Sequence, residues 1–369
     1  MKIAINARVL NDRQGGPYRY LYNILRELSV IDKKNIYYIL LKEEIHLDFA
    51  MPNNFRMIIR RIRNKFIYDY IYIPIFSYLN RIDVFLFPKN TYSPIIRGRK
   101  IPVYHDIVYF EKFNFREFRF FDNLHHKLMI PVAAKFSYID LTVSEFTASR
   151  MIELLNIEKN RIRIITEGVE KKFRKITDKN ILKGVIMKYD LKMPFYLYIG
   201  SLSPRKNMIN VLKAFLRIKD RVEHNIYFIG GYSWRDNKVY DFIKEHDLSQ
   251  RVIKLDYLED DELVAIYNLA DCFLYPSKYE GFGLPILEAQ ACGCPVITSR
   301  VSSCPEVAGE GGLLVNPYDI DDIAKGMLEI ANNMALKSEI IEKGFDNCKK
   351  YSWERTAREF IRLFEDVHL

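Results

Sequence analysis

The chain alternates two kinds of apolar patterning. Short, nearly continuous apolar runs recur, and between them apolar residues return every three or four positions. The runs KIAIN (2–6), IYYILL (36–41), VFLF (84–87), IPVYHD (101–106), YIDLTVS (138–144) and RIIT (163–166) predict strands in the first half. The runs FYLYIGS (195–201), IYFIGG (226–231), RVIKLDY (251–257), CFLYPS (272–277), CPVITS (294–299) and GLLV (312–315) predict strands in the second. Strands this apolar are buried on both faces, and their alternation with amphipathic helices predicts an α/β protein with parallel sheets.

The pattern loosens around GVEKKFRKITDKNILKG (168–184), and we place a domain boundary there. The predicted division is a first Rossmann-like domain over 1–172, a second over 173–351, and a last amphipathic helix within 352–369. The length of 369 residues, large for one core, agrees with two domains. Two such sheets are expected to face one another across a cleft at the carboxyl ends of their strands, where α/β sheets bind ligands.

Composition changes this picture in one respect. Apolar content of 49% and charged content of 28% are ordinary for a globular chain, and the net charge is +9. The charge is uneven. Residues 1–180 hold 32 Lys and Arg against 19 Asp and Glu, or +13, whereas residues 181–369 hold 24 against 28, or −4. Such asymmetry predicts that the first half meets an anionic surface. In FRMIIRRIRNKFIYDYIYIPIF (55–76) and KFNFREFRFF (112–121) basic residues interleave with aromatic ones. The opening MKIAINARVL reads as a buried strand, not a signal peptide, and IYDYIYIPIFSYL (67–79) is too short to span a bilayer, so a cytoplasmic protein is expected. The five cysteines argue against a disulfide framework, and Cys292-Gly-Cys294 reads as buried small residues with no second ligand pair at zinc spacing.

Four stretches carry candidate chemistry. Gly15-Gly16 follows the first strand and opens a helix, where backbone N–H groups can approach an anion. It is not a full GxGxxG and lacks a ribose-binding acid downstream, which argues against a nicotinamide oxidoreductase. His105-Asp106 falls at the carboxyl end of a strand, where an imidazole can hydrogen-bond a sugar hydroxyl or simply hold the loop. Arg205-Lys206 lies between a strand and a helix, a setting that suits a diphosphate as well as a solvated turn. Glu280 and Glu288 flank a Gly-Phe-Gly-Leu-Pro turn in EGFGLPILEAQACGCPVI.

The last stretch resembles the retaining glycosyltransferases of family 4, which have the two-domain GT-B fold. The resemblance takes in GGPYRY, VYHDI, VSEFTASRM, GSLSPRKN, DYLEDDEL and YSWERTA, and so covers nearly the whole chain. It implies that His105, Arg205, Lys206 and Glu280 are catalytic, with Glu280 and His105 on the transferred sugar and the two cations on the diphosphate. It implies donor contacts from Gly15, Gly16, Tyr257, Leu258, Phe282, Gly283, Leu284 and Glu288, the last on the ribose. Asp106 and Ser144 are expected to meet acceptor or sugar. The last helix is expected to cross back to the first domain. No metal or other cofactor is expected, because protein cations serve the diphosphate. Asp319-Ile320-Asp321 looks like a metal-binding DxD, but it begins a surface helix, where acids belong as caps.

The implied function is transfer of a hexose from a nucleotide-diphosphate sugar to a glycan or lipid-linked acceptor of a cell-surface polysaccharide. GDP-mannose is the favoured donor, with UDP-glucose, UDP-N-acetylglucosamine or dTDP-rhamnose as alternatives. The basic half is assigned to an anionic membrane surface at the inner face of the cell membrane, in preference to nucleic acid. The rival of another class is an inactive membrane- or nucleic-acid-binding protein on the same fold, whose mark would be loss of Glu280, Arg205 or Lys206. One departure stands out. Where many relatives have Asn-Gly-Val-Asp between the domains, this chain has Glu167-Gly168-Val169-Glu170.

Overall fold

A computed structural model describes residues 1–12, 15–111, 120–231, 238–256 and 258–368. These form two compact units. The first is built from residues up to 168 together with 352–368, and the second from residues 169–351.

The first unit holds seven parallel strands: β1 Lys2–Asn6, β2 Ile36–Leu41, β3 Phe55–Ile59, β4 Val84–Phe87, β5 Arg99–Tyr104, β6 Asp140–Thr142 and β7 Ile162–Ile164. Their order is β3-β2-β1-β4-β5-β6-β7. Ile3 is in register with Tyr37 on one side and Val84 on the other, so β1 and β4 flank the point where the strand order reverses. Strand β3 was not predicted. Its FRMII run is interrupted by exposed Arg56 and followed by Arg60 and Arg61, so its apolar residues read as part of a basic surface. Pairing with β2, from Tyr37 opposite Phe55 to Leu41 opposite Ile59, makes it the edge of the sheet.

Three helices of this unit matter for function. Helix α1, Gly16–Ile31, buries Tyr20, Leu21, Ile24, Leu25 and Leu28, one face at helical spacing. Helix α2 runs over residues 65–79. The Asn64 side chain caps it by accepting from the N–H groups of Phe66 and Ile67. A π turn over Tyr68–Tyr72 precedes Pro74, which has no N–H to continue the ladder. Helix α3 is Phe120–Phe136. The terminal helix, Trp353–His368, returns to this unit and packs on α1. It buries Trp353, Ala357, Phe360, Phe364 and Val367.

The second unit holds β8 Phe195–Ile199, β9 Asn225–Ile229, β10 Val252–Leu255, β11 Cys272–Tyr275, β12 Val296–Ser299 and β13 Gly312–Val315. All are parallel, in the order β10-β9-β8-β11-β12-β13. The reversal falls between β8 and β11. Helix α4, Met208–Ile218, covers one face with Val211, Leu212 and Phe215. Helix α5, Leu284–Ala291, is apolar nearly all round and buried.

The aromatic abundance goes largely into the cores. Buried tyrosines anchor their hydroxyls inside: Tyr37 donates to Asp32 at 2.6 Å, Tyr92 to the Ala133 carbonyl at 2.7 Å, and Tyr196 to the Met327 carbonyl at 3.0 Å. The cysteines are free, and burial pushes the Cys292 and Cys294 thiols up. Asp319 caps the helix Ile320–Asn332, accepting from the N–H groups of Asp321 at 2.9 Å and Asp322 at 3.3 Å. Asp321 pairs with Arg217, and Asp322 with Arg300. Among the described residues no helix is long and apolar enough to cross a membrane.

Candidate functional site

In the second unit the site is built where β8 and β11 end, at the reversal of strand order. After β8 the chain enters a single 3-10 turn, Pro204–Lys206. Asn207 then takes a left-handed conformation (φ 68°) and starts α4. Its side-chain amide donates to the carbonyls of Pro276 at 2.9 Å and Pro317 at 2.7 Å, which ties the turn to the end of β11. After β11 comes Glu280, whose carbonyl accepts from Ser303 at 3.0 Å; the same hydroxyl donates to the Phe282 carbonyl at 2.7 Å. Gly283 then adopts φ +111°, open to glycine at little cost, and α5 begins with Leu284 and Pro285.

These turns bring Arg205, Lys206 and Glu280 together. Arg205 Nη1 lies 3.2 Å from Glu280 Oε2 and donates to the Tyr279 carbonyl at 2.9 Å. Lys206 Nζ lies 2.7 Å from Glu280 Oε1 and donates to the Tyr275 hydroxyl, also at 2.7 Å. The cluster is shielded: the Glu280 side chain is 8% exposed and that of Lys206 16%. Burial pushes the Lys206 ammonium down, outweighing the opposing pull of Glu280. Burial pushes Glu280 up, but Lys206 and Arg205 outweigh it and hold the carboxyl below its usual range. One carboxylate and two cations leave a net positive charge close to the N-termini of α4 and α5, an arrangement that favours an anion.

Glu288, one turn further along α5, is 3% exposed and accepts from Tyr267 at 3.1 Å. Phe282 and Leu284 are buried around the turn, and Leu258 is buried as well. Tyr257 lies outside the described residues. Tyr275, Ser303 and Asn207 were not singled out from sequence. Asn207 was legible as the last residue of the PRKN stretch, but nothing local marked the other two.

In the first unit the reversal point holds a pocket of about 380 Å³. Asn6 and Arg8 line it after β1, Pro88 and Lys89 after β4, and His105 and Asp106 after β5. Lys65 and Asp69 of α2 and Asp122 and His126 of α3 complete the wall. Arg8 pairs with Asp69 at 3.2 Å. His126 stacks flat on Tyr109, with ring centres 4.3 Å apart, and burial pushes its imidazole down. Asp106 Oδ1 accepts from the Val108 N–H at 3.2 Å. The His105 ring lies edge-on to Tyr20 at 4.6 Å; Nε2 is 3.0 Å from the Pro88 carbonyl and Nδ1 is 3.4 Å from Glu167 Oε1.

Three expected residues stand differently. Gly15 and Gly16 are exposed at the start of α1, separated from β1 by the 3-10 helix Ala7–Asp12 rather than following it directly. Ser144 is fully buried as the N-cap of the helix Glu145–Leu155, where its hydroxyl accepts from the Thr147 N–H at 3.1 Å. It is a capping residue, outside the pocket lining.

Comparisons with known proteins bear on the family and the fold. Residues 187–346 match the family described as glycosyl transferases group 1. The chain is 31% identical over 287 residues to O-antigen chain mannosyltransferase B of Escherichia coli, a match covering 75% of this chain and 72% of that protein. It is 30% identical over 295 residues to a serotype-specific mannosyltransferase, WbdA, of Escherichia coli, where the match covers 75% of this chain but only 35% of the relative. Among solved structures it resembles Anabaena HepE in complex with UDP and glucose, with a TM-score of 0.78 at 14% identity, over 99% of this chain and 100% of that one.

Proposed function

The chain belongs to the group 1 glycosyl transferases and has the GT-B fold, and from that premise we propose that it transfers mannose from GDP-mannose to a lipid-linked glycan in cell-surface polysaccharide synthesis. The observation that carries the reading is the shielded Arg205–Glu280–Lys206 cluster at the reversal point of the second sheet. The reaction breaks the bond between the sugar's anomeric carbon and the diphosphate, and the departing diphosphate gains charge. Arg205 and Lys206, already fixed in place, stabilise that charge with little reorganisation. As the diphosphate takes the cations, Glu280 turns to the sugar hydroxyls. Glu288 takes the ribose hydroxyls, and the first-turn N–H groups of α5 face the phosphate. The configuration is retained by attack on the face from which the diphosphate leaves, and we assign no protein nucleophile. Transfer needs no metal ion, since side chains supply the cations. The choice of mannose follows the two mannosyltransferase relatives.

The acceptor occupies the pocket of the first unit, and His105, expected on the transferred sugar, is assigned instead to an acceptor hydroxyl because it lines that pocket. A lipid-linked acceptor is favoured by the two helices that wall the pocket. Helix α2 turns Lys65 and Asp69 to the pocket, while Ile67, Ile71, Ile75 and Tyr78 are exposed. Helix α3 turns Asp122 and His126 to it, while Phe121, Leu124 and Leu128 are exposed. The helices are neighbours, with Tyr70 edge-on to His125 at 6.4 Å. Exposed Arg60, Arg61 and Arg63 precede α2. An apolar face bordered by cations suits an anionic bilayer surface, each cation near the surface contributing about 1 kcal/mol.

The test is a thermal-shift panel of GDP-mannose, UDP-glucose, UDP-N-acetylglucosamine and dTDP-rhamnose, followed by transfer assays in EDTA. GDP-mannose should raise the melting temperature of the wild type and not that of R205A/K206A. A shift with another donor corrects the sugar. No shift with any donor would overturn the reading, and loss of transfer in EDTA would overturn metal independence.

A further inference from the structure

Glu167 has no part in the reaction as set out so far. It lies three residues past β7, in a segment fixed by the terminal helix. Thr356 donates to the Thr166 carbonyl at 2.8 Å. Gly168 lies so close to the terminal helix that a Cβ there would come within 2.3 Å of the Trp353 backbone nitrogen. The Glu167 side chain is therefore held inside, 5% exposed, with its carboxylate 3.4 Å from His105 Nδ1.

The two nitrogens of His105 face different ways. Nε2 is 3.0 Å from the carbonyl of Pro88, a residue that lines the pocket. Glu167 is not among the lining residues, so Nδ1 is at the back of the ring. A carbonyl can only accept a hydrogen bond, and so can an ionised carboxylate. A neutral imidazole has one N–H and satisfies one of the two. The partner at one nitrogen thus decides what the other offers. When a hydroxyl in the pocket replaces the Pro88 carbonyl at Nε2, a Glu167 that holds Nδ1–H leaves Nε2 as an acceptor for that hydroxyl's proton. Tyr20 packed edge-on keeps the ring from turning away.

We propose that Glu167 is a positioning residue that acts through His105, fixing the ring's orientation and placing its proton on Nδ1. This rests on the reading of the pocket as the acceptor side. A buried carboxylate is costly without a partner, and the imidazole is the partner the fold sets against it.

The experiment compares wild type, E167Q, E167D, H105A and H105A/E167Q. Long-range ¹H–¹⁵N spectra of protein labelled at histidine read the tautomer of His105, assigned by the signal lost in H105A. With the acceptor glycan or a neutral mannoside present, wild type should show Nδ1–H, and E167Q should move the signals toward the other tautomer or a mixture. In transfer assays E167Q should lower kcat by roughly 10- to 100-fold, by analogy with loss of the carboxylate that orients a metal-bound His, with the donor KM unchanged. E167D should recover part of that loss, and E167Q should cost nothing further in the H105A background. Melting curves check that each variant folds. Unchanged His105 signals in E167Q, or an equal loss of transfer in the H105A background, would overturn the proposal. If wild type transferred no sugar, the assignment of function would fall, while the spectra would still decide whether Glu167 sets the tautomer of His105.

Discussion

The two sheets share a strand order, and in each the ends of the strands beside the reversal carry the candidate chemistry, but the two places are furnished in opposite ways. In the second unit the charges are packed against each other, with Glu280 between Arg205 and Lys206, and are mostly closed to solvent. In the first the charged groups stand around a hollow of about 380 Å³, with the Arg8–Asp69 pair on its wall. The first arrangement is part of a folded interior; the second is the wall of a container. Removing one charge should therefore disturb stability and catalysis together in the second unit's cluster, and substrate binding alone on the wall of the first unit's hollow.

The sharpest break of that contrast would be Glu280→Ala. It leaves two shielded cations without their carboxylate, and loss of one partner of a buried ion pair costs about 3–5 kcal/mol. Urea denaturation should show a lowered midpoint with little change in slope. A loss under about 1 kcal/mol would mean that water already serves these cations. Arg205→Ala comes next. It removes a charge from the departing diphosphate and should lower kcat by roughly tenfold to a thousandfold, read in a steady-state transfer assay. Near-normal turnover would move the diphosphate elsewhere.

The third prediction sets two buried carboxylates against each other. Asp140, at the start of β6, pairs with Arg161 at 3.2 Å, yet burial raises its carboxyl from 3.8 to about 6 despite bonds from Ser137 and Tyr104. The folded chain thus binds a proton between those values that the unfolded chain has released, so its contribution to stability falls as pH rises from about 4 to 6, by at most about 3 kcal/mol. Glu280 is held low, so its contribution has the other sign: present above the usual carboxylate range and lost as pH falls. Chemical denaturation of D140N and E280Q across pH 4–7 should show stability differences from wild type that slope in opposite directions. Parallel slopes would erase the contrast. The smallest effect is expected for Asp69→Asn in the pocket wall. Stability should change by less than about 1 kcal/mol, because water in the hollow can serve the Arg8 left behind, while the acceptor KM rises. A stability loss as large as that of Glu280→Ala would show the pocket wall to be structural.

Much of the architecture was legible in sequence because buried parallel strands are written as unbroken apolar runs. Strands β1, β2, β4 and β13 fall on the runs that predict them, and the others differ at one or both ends. Strand β3 was lost because an edge strand has a solvent side, and Arg56 fills it. Spacing alone could not bring Glu280 to Arg205 and Lys206, some 75 residues away; only the resemblance joined them. The same motifs also gave Ser144 too much, since a Ser before a helix is first a cap. Glu167 was visible only as a departure. Its neighbour His105 lies far back in the chain, and no periodicity records a contact of that kind.

The terminal helix has a consequence for how the molecule is made. Residues 352–368 complete the unit that residues 1–168 begin, with a whole second unit synthesised in between. As the chain leaves the ribosome, the face of α1 that will receive Trp353, Phe360 and Phe364 has no cover until the second unit has been translated. The second unit is continuous from residue 169 and can close first, although it begins later. A chain interrupted near residue 350 would carry a finished second unit and a bare apolar stripe on the first, the kind of surface that chaperones and proteases detect. The last helix thus makes the first unit's completion a report that translation has passed through the second.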